Sequence, residues 1–293
     1  MALMGVDTMG VEVNGSQRWL EIPGIGRRFQ PSEIMKLAIV LALARYYHDL
    51  PSWRVSNIAG IVGALLIIGL PTQFILRQPD LGTTLLLGAT GVSMVFLAGI
   101  NWRVIMSAVI AAGVAVPLFY KFGLKDYQRA RINTFFNPAD DPTGAGYHII
   151  QSKIALGSGG VSGKGFMRGT QRQLEYVPEN RTDFIFTVIG EEFGLIGGLI
   201  TMGLYMALLG LCIWLAFQCK HVFSKLLVLG LTVTFALYVF INLAMVMGLA
   251  PVVGVPLPLI SYGGTVILAV MFGFGLILSA HLHRQSELPR AGR

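Results

Sequence analysis

The sequence predicts an all-α, polytopic helical membrane protein of about seven transmembrane helices with one large extracytoplasmic loop. Three observations carry that expectation. Of 293 residues, 54% are apolar and only 13% charged, with a mean hydropathy of +0.66, whereas a soluble domain carries about a quarter charged residues. Seven apolar segments approach or reach the roughly 20 helical residues that cross a bilayer. The 36 glycines suit closely packed membrane helices.

The opening MALMGVDTMG lacks both the basic start and the apolar run of a cleavable signal peptide. The first span, 32–48, is introduced by QPSEIMK (30–36) and carries Lys36 and Arg45 near its ends. Pro31 suits a first helical turn, and Ser32 or Glu33 can serve its free N–H groups. Glu33 and Lys36 are three apart, so they share a face and can pair. A capped helix start and a charged pair at the outer edge of a bundle both remain open. The second span is 56–76. RQPDLGTT (77–84) then turns into the third, 82–100, with Asp80 as the favoured helix cap. The fourth is 104–122.

The fifth span, 195–218, has an apolar prelude at 184–194, so its helix is expected to start near 183 and bend near Gly194 or Gly197–Gly198. The sixth and seventh are 224–248 and 263–282. Cys212 and Cys219 lie on one apolar face and read as packing residues, because a metal site needs more ligands. No internal repeat is visible, so residues 1–293 are expected to form a single integral membrane domain.

Short connections on one side hold Arg45, Arg54, Arg103, Lys220, Lys225, Arg284, Arg290 and Arg293 against Asp49 and Glu287. That excess marks the cytoplasmic face. The long loop, 123–182, then lies outside. Its stretch YHIIQSKIAL (147–156) has helical periodicity, and it carries Lys153, Lys164, Arg168, Arg172 and Arg181. The net charge of +7 comes with no nucleic-acid-binding motif, so no nucleic acid is expected. An anionic ligand at the membrane surface, such as a lipid phosphate, and plain contact with anionic headgroups both fit the charge.

GSGGVSGKG (157–165) resembles a P-loop but fails it, having Ser158 and Gly165 where Gly and Ser or Thr are required. A hinge, or backbone N–H groups and Lys164 reaching a phosphate, are the remaining readings. GVPLPLISYGG (254–264) interrupts apolar sequence and reads either as a cavity lining or as an external turn. LEYVPENRTDFIFTVIGEEFG (174–194) places Asp183 where a polar run meets an apolar one. It can cap the helix. It also shares a small, polar stripe with Thr187, Gly190 and Gly194, and an acid on such a stripe is a functional candidate. Glu191 and Glu192 read as structural acids of the bundle interior.

Taken together, FQPSEIMKLAIVLALARYY, QPDLGTTLL, NPADDPTGAGYHIIQSKIALGSGGVSGKG, ENRTDFIFTVIGEEFGLIGG, GVPLPLISYGG and ILSAHLHR resemble the SEDS family (shape, elongation, division, sporulation), in its RodA-type elongation branch. The resemblance runs over almost the whole chain from about residue 14. It implies a peptidoglycan glycosyltransferase of the bacterial inner (cytoplasmic) membrane that polymerises lipid II into glycan strands at the outer leaflet. Its implied partners are a class B penicillin-binding protein, which crosslinks the product, and the elongation machinery that maintains rod shape. It places the essential acid of the family's TDF motif at Asp183, and the Glu and Lys of its PSE-x-x-K motif at Glu33 and Lys36. Inversion from an α-linked pyrophosphate to a β-glycosidic bond then needs one base for the acceptor hydroxyl, assigned to Asp183. Charge for the pyrophosphate can come from Lys153, Lys164, Arg168, Arg172 and Arg181 or from a divalent cation, Mg2+ or Mn2+. No residue is assigned as a metal ligand. Family members usually have ten spans, so three are expected to be missing here, with MALMGVD as the tail of the third and NGSQRW as a loop. A lipid II flippase and a non-catalytic scaffold for the transpeptidase are the alternatives to an enzyme.

Overall fold

Each apolar segment becomes a helix within a few residues of its expected limits, because a long apolar run with polar ends leaves the backbone no other way to satisfy its own hydrogen bonds in lipid. The computed structural model describes residues 11–13, 16–21, 28–78, 80–123, 126–141, 144–170 and 182–286. In chain order the helices are α1 (Pro31–Asp49), α2 (Ile58–Arg77), α3 (Leu81–Leu97), α4 (Trp102–Phe122), α5 (Asp126–Phe136), α6 (Ala145–Ser158), α7 (Ile185–Gln218), α8 (Val222–Val246) and α9 (Gly264–Leu282). By length and composition α2, α7, α8 and α9 can each cross a membrane. At 17 residues α3 is shorter. The chain is a helical membrane protein.

Two expectations change. NGSQRW is not a simple loop: Ser16–Glu21 forms a strand, β2, paired antiparallel with β1 (Val11–Val13) and β3 (Arg28–Phe29). The long loop carries α5, which was not expected, beside α6, which the helical periodicity of 147–156 anticipated. The opening MALMGVD, read as the tail of a span, lies outside the described residues.

The chain forms two compact units. The first comprises Met1–Val109, Gly210–Leu237 and Gly264–Arg293. Its core gathers Val40, Leu43 and Ala44 of α1, Ile68 of α2, Leu87 and Met94 of α3, Val228 of α8 and Ile277 of α9. Small residues let these helices close on one another: a Cβ at Gly91 would lie 2.6 Å from Ile68 Cγ1. Asp80 caps α3 as expected, accepting from the Thr83 N–H at 3.0 Å and the Thr83 hydroxyl at 2.8 Å.

The second unit comprises Ile110–Leu209 and Tyr238–Gly263. It contains most of the long loop, the N-terminal part of α7, the C-terminal end of α8 and the irregular segment that follows α8. Here α6 packs on the start of α7. The Ser152 hydroxyl, fully buried, lies 2.9 Å from the Thr187 hydroxyl and donates to the Val246 carbonyl at 2.7 Å.

Candidate active site

The site begins with a broken helix. α7 bends at Gly194 (φ 65°, ψ −158°), one of the two places the sequence offered. In an unbroken helix the N–H groups of residues 195 and 196 would bond to the carbonyls of 191 and 192. Instead Leu195 donates to the Gly160 carbonyl at 2.9 Å and Ile196 to the Val161 carbonyl at 3.1 Å. The freed carbonyls of Glu191 and Glu192 accept from Lys164 and Gly165 at 3.0 and 2.9 Å. Residues 160–165 thus act as a strap laid into the break, replacing two helical hydrogen bonds with four strap bonds. No orphaned backbone group is left at these positions, which an apolar setting would penalise by several kcal/mol each.

Glycine makes the strap possible. Gly163 has φ 79°, and a Cβ there would fall on the Glu192 carbonyl. The segment read as a hinge or phosphate loop is therefore docked backbone to backbone. Its lysine is engaged too. Lys164 Nζ lies 2.7 Å from Glu191 Oε1, and the Thr170 hydroxyl donates to the same oxygen at 3.1 Å. Glu191 is 1% exposed and Lys164 27%. Glu191 and Glu192 are interior acids, as expected, and Glu191 anchors the strap by its charge.

One turn before α7, Asp183 sits half-buried in the turn 182–184, ahead of the first helical residue, Ile185. Behind it the stripe is covered by protein: Thr187, Gly190 and Gly194 are all buried, with Leu156 against Gly190. The turn's own carbonyls are held by side chains. Asn242 Nδ2 donates to the Asp183 carbonyl at 2.7 Å, and the Ser261 hydroxyl donates to the Thr182 carbonyl at 2.5 Å. The carboxylate stands beside Gly254, where a Cβ would lie 3.4 Å from Asp183 Oδ2.

Gly254 belongs to the irregular segment after α8, which is a packed structure. Arg131 donates to the Val252 carbonyl, Asn242 to the Val255 carbonyl and Tyr205 to the Pro258 carbonyl, at 3.2, 2.7 and 2.6 Å. Side chains from α5, α7 and α8 thus supply what secondary structure does not.

Among the remaining candidates, Lys153 and Arg168 are exposed cations of the same unit as Asp183. Lys153 runs along Gly248, the residue at which α8 has already ended. Glu33 and Lys36 belong to the other unit, where they pair at 2.6 Å with 5% and 3% exposure. Arg172 and Arg181 lie outside the described residues. Among the described residues no three His, Cys, Asp or Glu side chains gather in a group that could hold a metal ion. Sequence reasoning passed over Asn242, Ser261, Ser152 and Tyr205. A lone amide or hydroxyl in apolar sequence gives no periodic signal, although Ser261 lies within GVPLPLISYGG.

The family of cell cycle proteins grouping FtsW, RodA and SpoVE matches residues 1–286. The chain is 46% identical over 286 residues to the peptidoglycan glycosyltransferase MrdB of Escherichia coli K12, covering 97% of this chain and 75% of that protein. A solved chain from a peptidoglycan synthase complex coordinating polymerization and crosslinking superposes with a TM-score of 0.84 at 30% identity, covering 98% of this chain and 79% of that one. Rod shape determining protein RodA of Thermus thermophilus gives a TM-score of 0.68 at 28% identity, covering 98% and 76%.

Proposed function

The chain belongs to the FtsW/RodA/SpoVE family of cell cycle proteins, and from that premise we infer that it is a peptidoglycan glycosyltransferase acting in cell elongation and rod shape. It polymerises lipid II, the undecaprenyl-pyrophosphate-linked disaccharide pentapeptide, into glycan strands, and works beside a class B penicillin-binding protein within the elongation machinery. The active site faces the extracytoplasmic side of the bacterial cytoplasmic membrane, an orientation that rests on the Lys and Arg excess in the opposite short loops.

The observation that carries the catalytic assignment is the turn 182–184, where a partly exposed carboxylate stands on a backbone held by two buried side chains. Asp183 takes the proton from the acceptor 4-hydroxyl as that oxygen attacks the donor anomeric carbon. The bond from that carbon to the pyrophosphate oxygen breaks, and the electron pair leaves on the lipid pyrophosphate. The departing group carries its own negative charge, so no protonated acid is needed and the configuration inverts. Lys153 and Arg168, exposed in the same unit, are the cations available to the pyrophosphate; Arg172 and Arg181 complete the candidate set from the sequence. Lys164 contributes less directly, through Glu191. Glu33 and Lys36, a buried pair in the other unit, are the remaining substrate-binding candidates. A divalent cation, Mg2+ or Mn2+, fits as a substrate-borne ion, since magnesium sites commonly use one or two carboxylates together with substrate phosphates.

The test is polymerisation of lipid II by the purified chain with its penicillin-binding partner. Asp183→Asn is expected to lower the rate about 100- to 10,000-fold, the usual contribution of a general base, while lipid II still binds. Wild-type polymerisation by Asp183→Asn would remove the base assignment.

A further inference from the structure

We propose that Asn242 and Ser261 are positioning residues for Asp183, acting through the two peptide units that meet at its Cα. This rests on the reading of Asp183 as the base. The direction of a side chain is set by the peptide planes on either side of its Cα. Asn242 holds one of them, through the Asp183 carbonyl at 2.7 Å, and Ser261 holds the other, through the Thr182 carbonyl at 2.5 Å.

Each side chain is two-headed. The second Asn242 N–H donates to the Val255 carbonyl at 2.7 Å, and the Ser261 oxygen accepts the Leu257 N–H at 2.8 Å. The turn bearing the carboxylate and the segment carrying Gly254 are therefore pinned to each other through these two side chains. Gly254, at φ 73°, keeps a Cβ out of the space beside Asp183 Oδ2. Asn242 is fully buried and Ser261 4% exposed, so water does not compete for these bonds. Both grips are on main-chain carbonyls, so they set where the carboxylate stands rather than its charge. All of these residues belong to one compact unit.

The test uses the full chain with its transpeptidase partner and lipid II as substrate. Asn242→Ala and Ser261→Ala are each expected to lower kcat about 10- to 100-fold, the scale of an ångström of misplacement at a reacting group. KM for lipid II should change less than about twofold, because binding shared by substrate and transition state is untouched. A purely structural role would lower folded yield and melting temperature while leaving kcat per folded molecule intact. That result, or a loss carried by KM, overturns the proposal. If Asn242→Ala does not fold, Ser261→Ala, which removes a single hydroxyl, carries the same test alone. Asp183→Asn separates this idea from its premise. An active Asp183→Asn removes both, whereas an inactive one beside fully active Asn242→Ala and Ser261→Ala overturns the positioning role only.

Discussion

Replacing Lys164 with methionine keeps much of its length and removes its charge, which isolates what the strap's ion pair contributes. Glu191 is 1% exposed, and its carboxylate would lose the cation now 2.7 Å away. Breaking a buried pair from one side costs about 3–5 kcal/mol, because the remaining charge is left in low dielectric. Two features reduce that figure here. The Thr170 hydroxyl still donates to Glu191 Oε1 at 3.1 Å, and Lys164 is 27% exposed, so water reaches the pair. We expect a loss of about 2–3 kcal/mol, which at 2–4 °C per kcal/mol for a chain of this size lowers the melting temperature by about 5–10 °C. Thermal unfolding in detergent, followed by tryptophan fluorescence, reads it directly. Glu191→Gln in the same background should recover part of the loss, since a neutral amide can stay bonded to Thr170, and the double-mutant cycle should show coupling of at least about 1 kcal/mol. A melting temperature within about 1 °C of wild type for Lys164→Met, combined with a raised KM for lipid II, would refute the strap anchor and return Lys164 to the pyrophosphate.

Gly163→Ala should destabilise the chain by at least about 1–2 kcal/mol from its left-handed backbone alone, with more added as the new Cβ pushes the strap off the Glu192 carbonyl. Gly157→Ala is the control, since its Cβ meets nothing within 4 Å; an unchanged or higher melting temperature is expected there, because alanine favours a helix over glycine by about 1 kcal/mol. Lys36→Met should cost up to about 3–5 kcal/mol by removing the buried cation 2.6 Å from Glu33, which is 5% exposed; the double Glu33→Gln/Lys36→Met variant should recover much of it in the same melting assay.

Much of the scaffold was legible from residue order. A run of apolar residues as long as the bilayer is thick becomes a helix wherever it sits, which is why α1–α4, α8 and α9 end close to their expected limits. A bend at a glycine was legible as well, at Gly194 or Gly197–Gly198, because glycine tolerates a positive φ; the fold placed it at Gly194. So was the position of Asp183 just ahead of α7, a charge where polar sequence turns apolar. The strands Val11–Val13 and Ser16–Glu21 were missed, since segments this short carry too few alternating positions to separate from a loop.

What tertiary structure decided is of another kind. The strap joins residues 160–165 to 191–196 through main-chain groups, and every residue carries the same N–H and C=O, so no pattern of side chains could announce that register. Lys164 looked like a phosphate ligand because its neighbours are glycines; its partner lies 27 positions along the chain. Asn242 looked like one amide in an apolar helix. Only the folded backbone brings the Asp183 and Val255 carbonyls within 2.7 Å of it. Sequence determined the helices and the acid, because those follow from hydrophobicity and charge at a single stretch. The position of that acid was decided by the fold, because hydrogen bonds between distant backbones depend on geometry and not on composition.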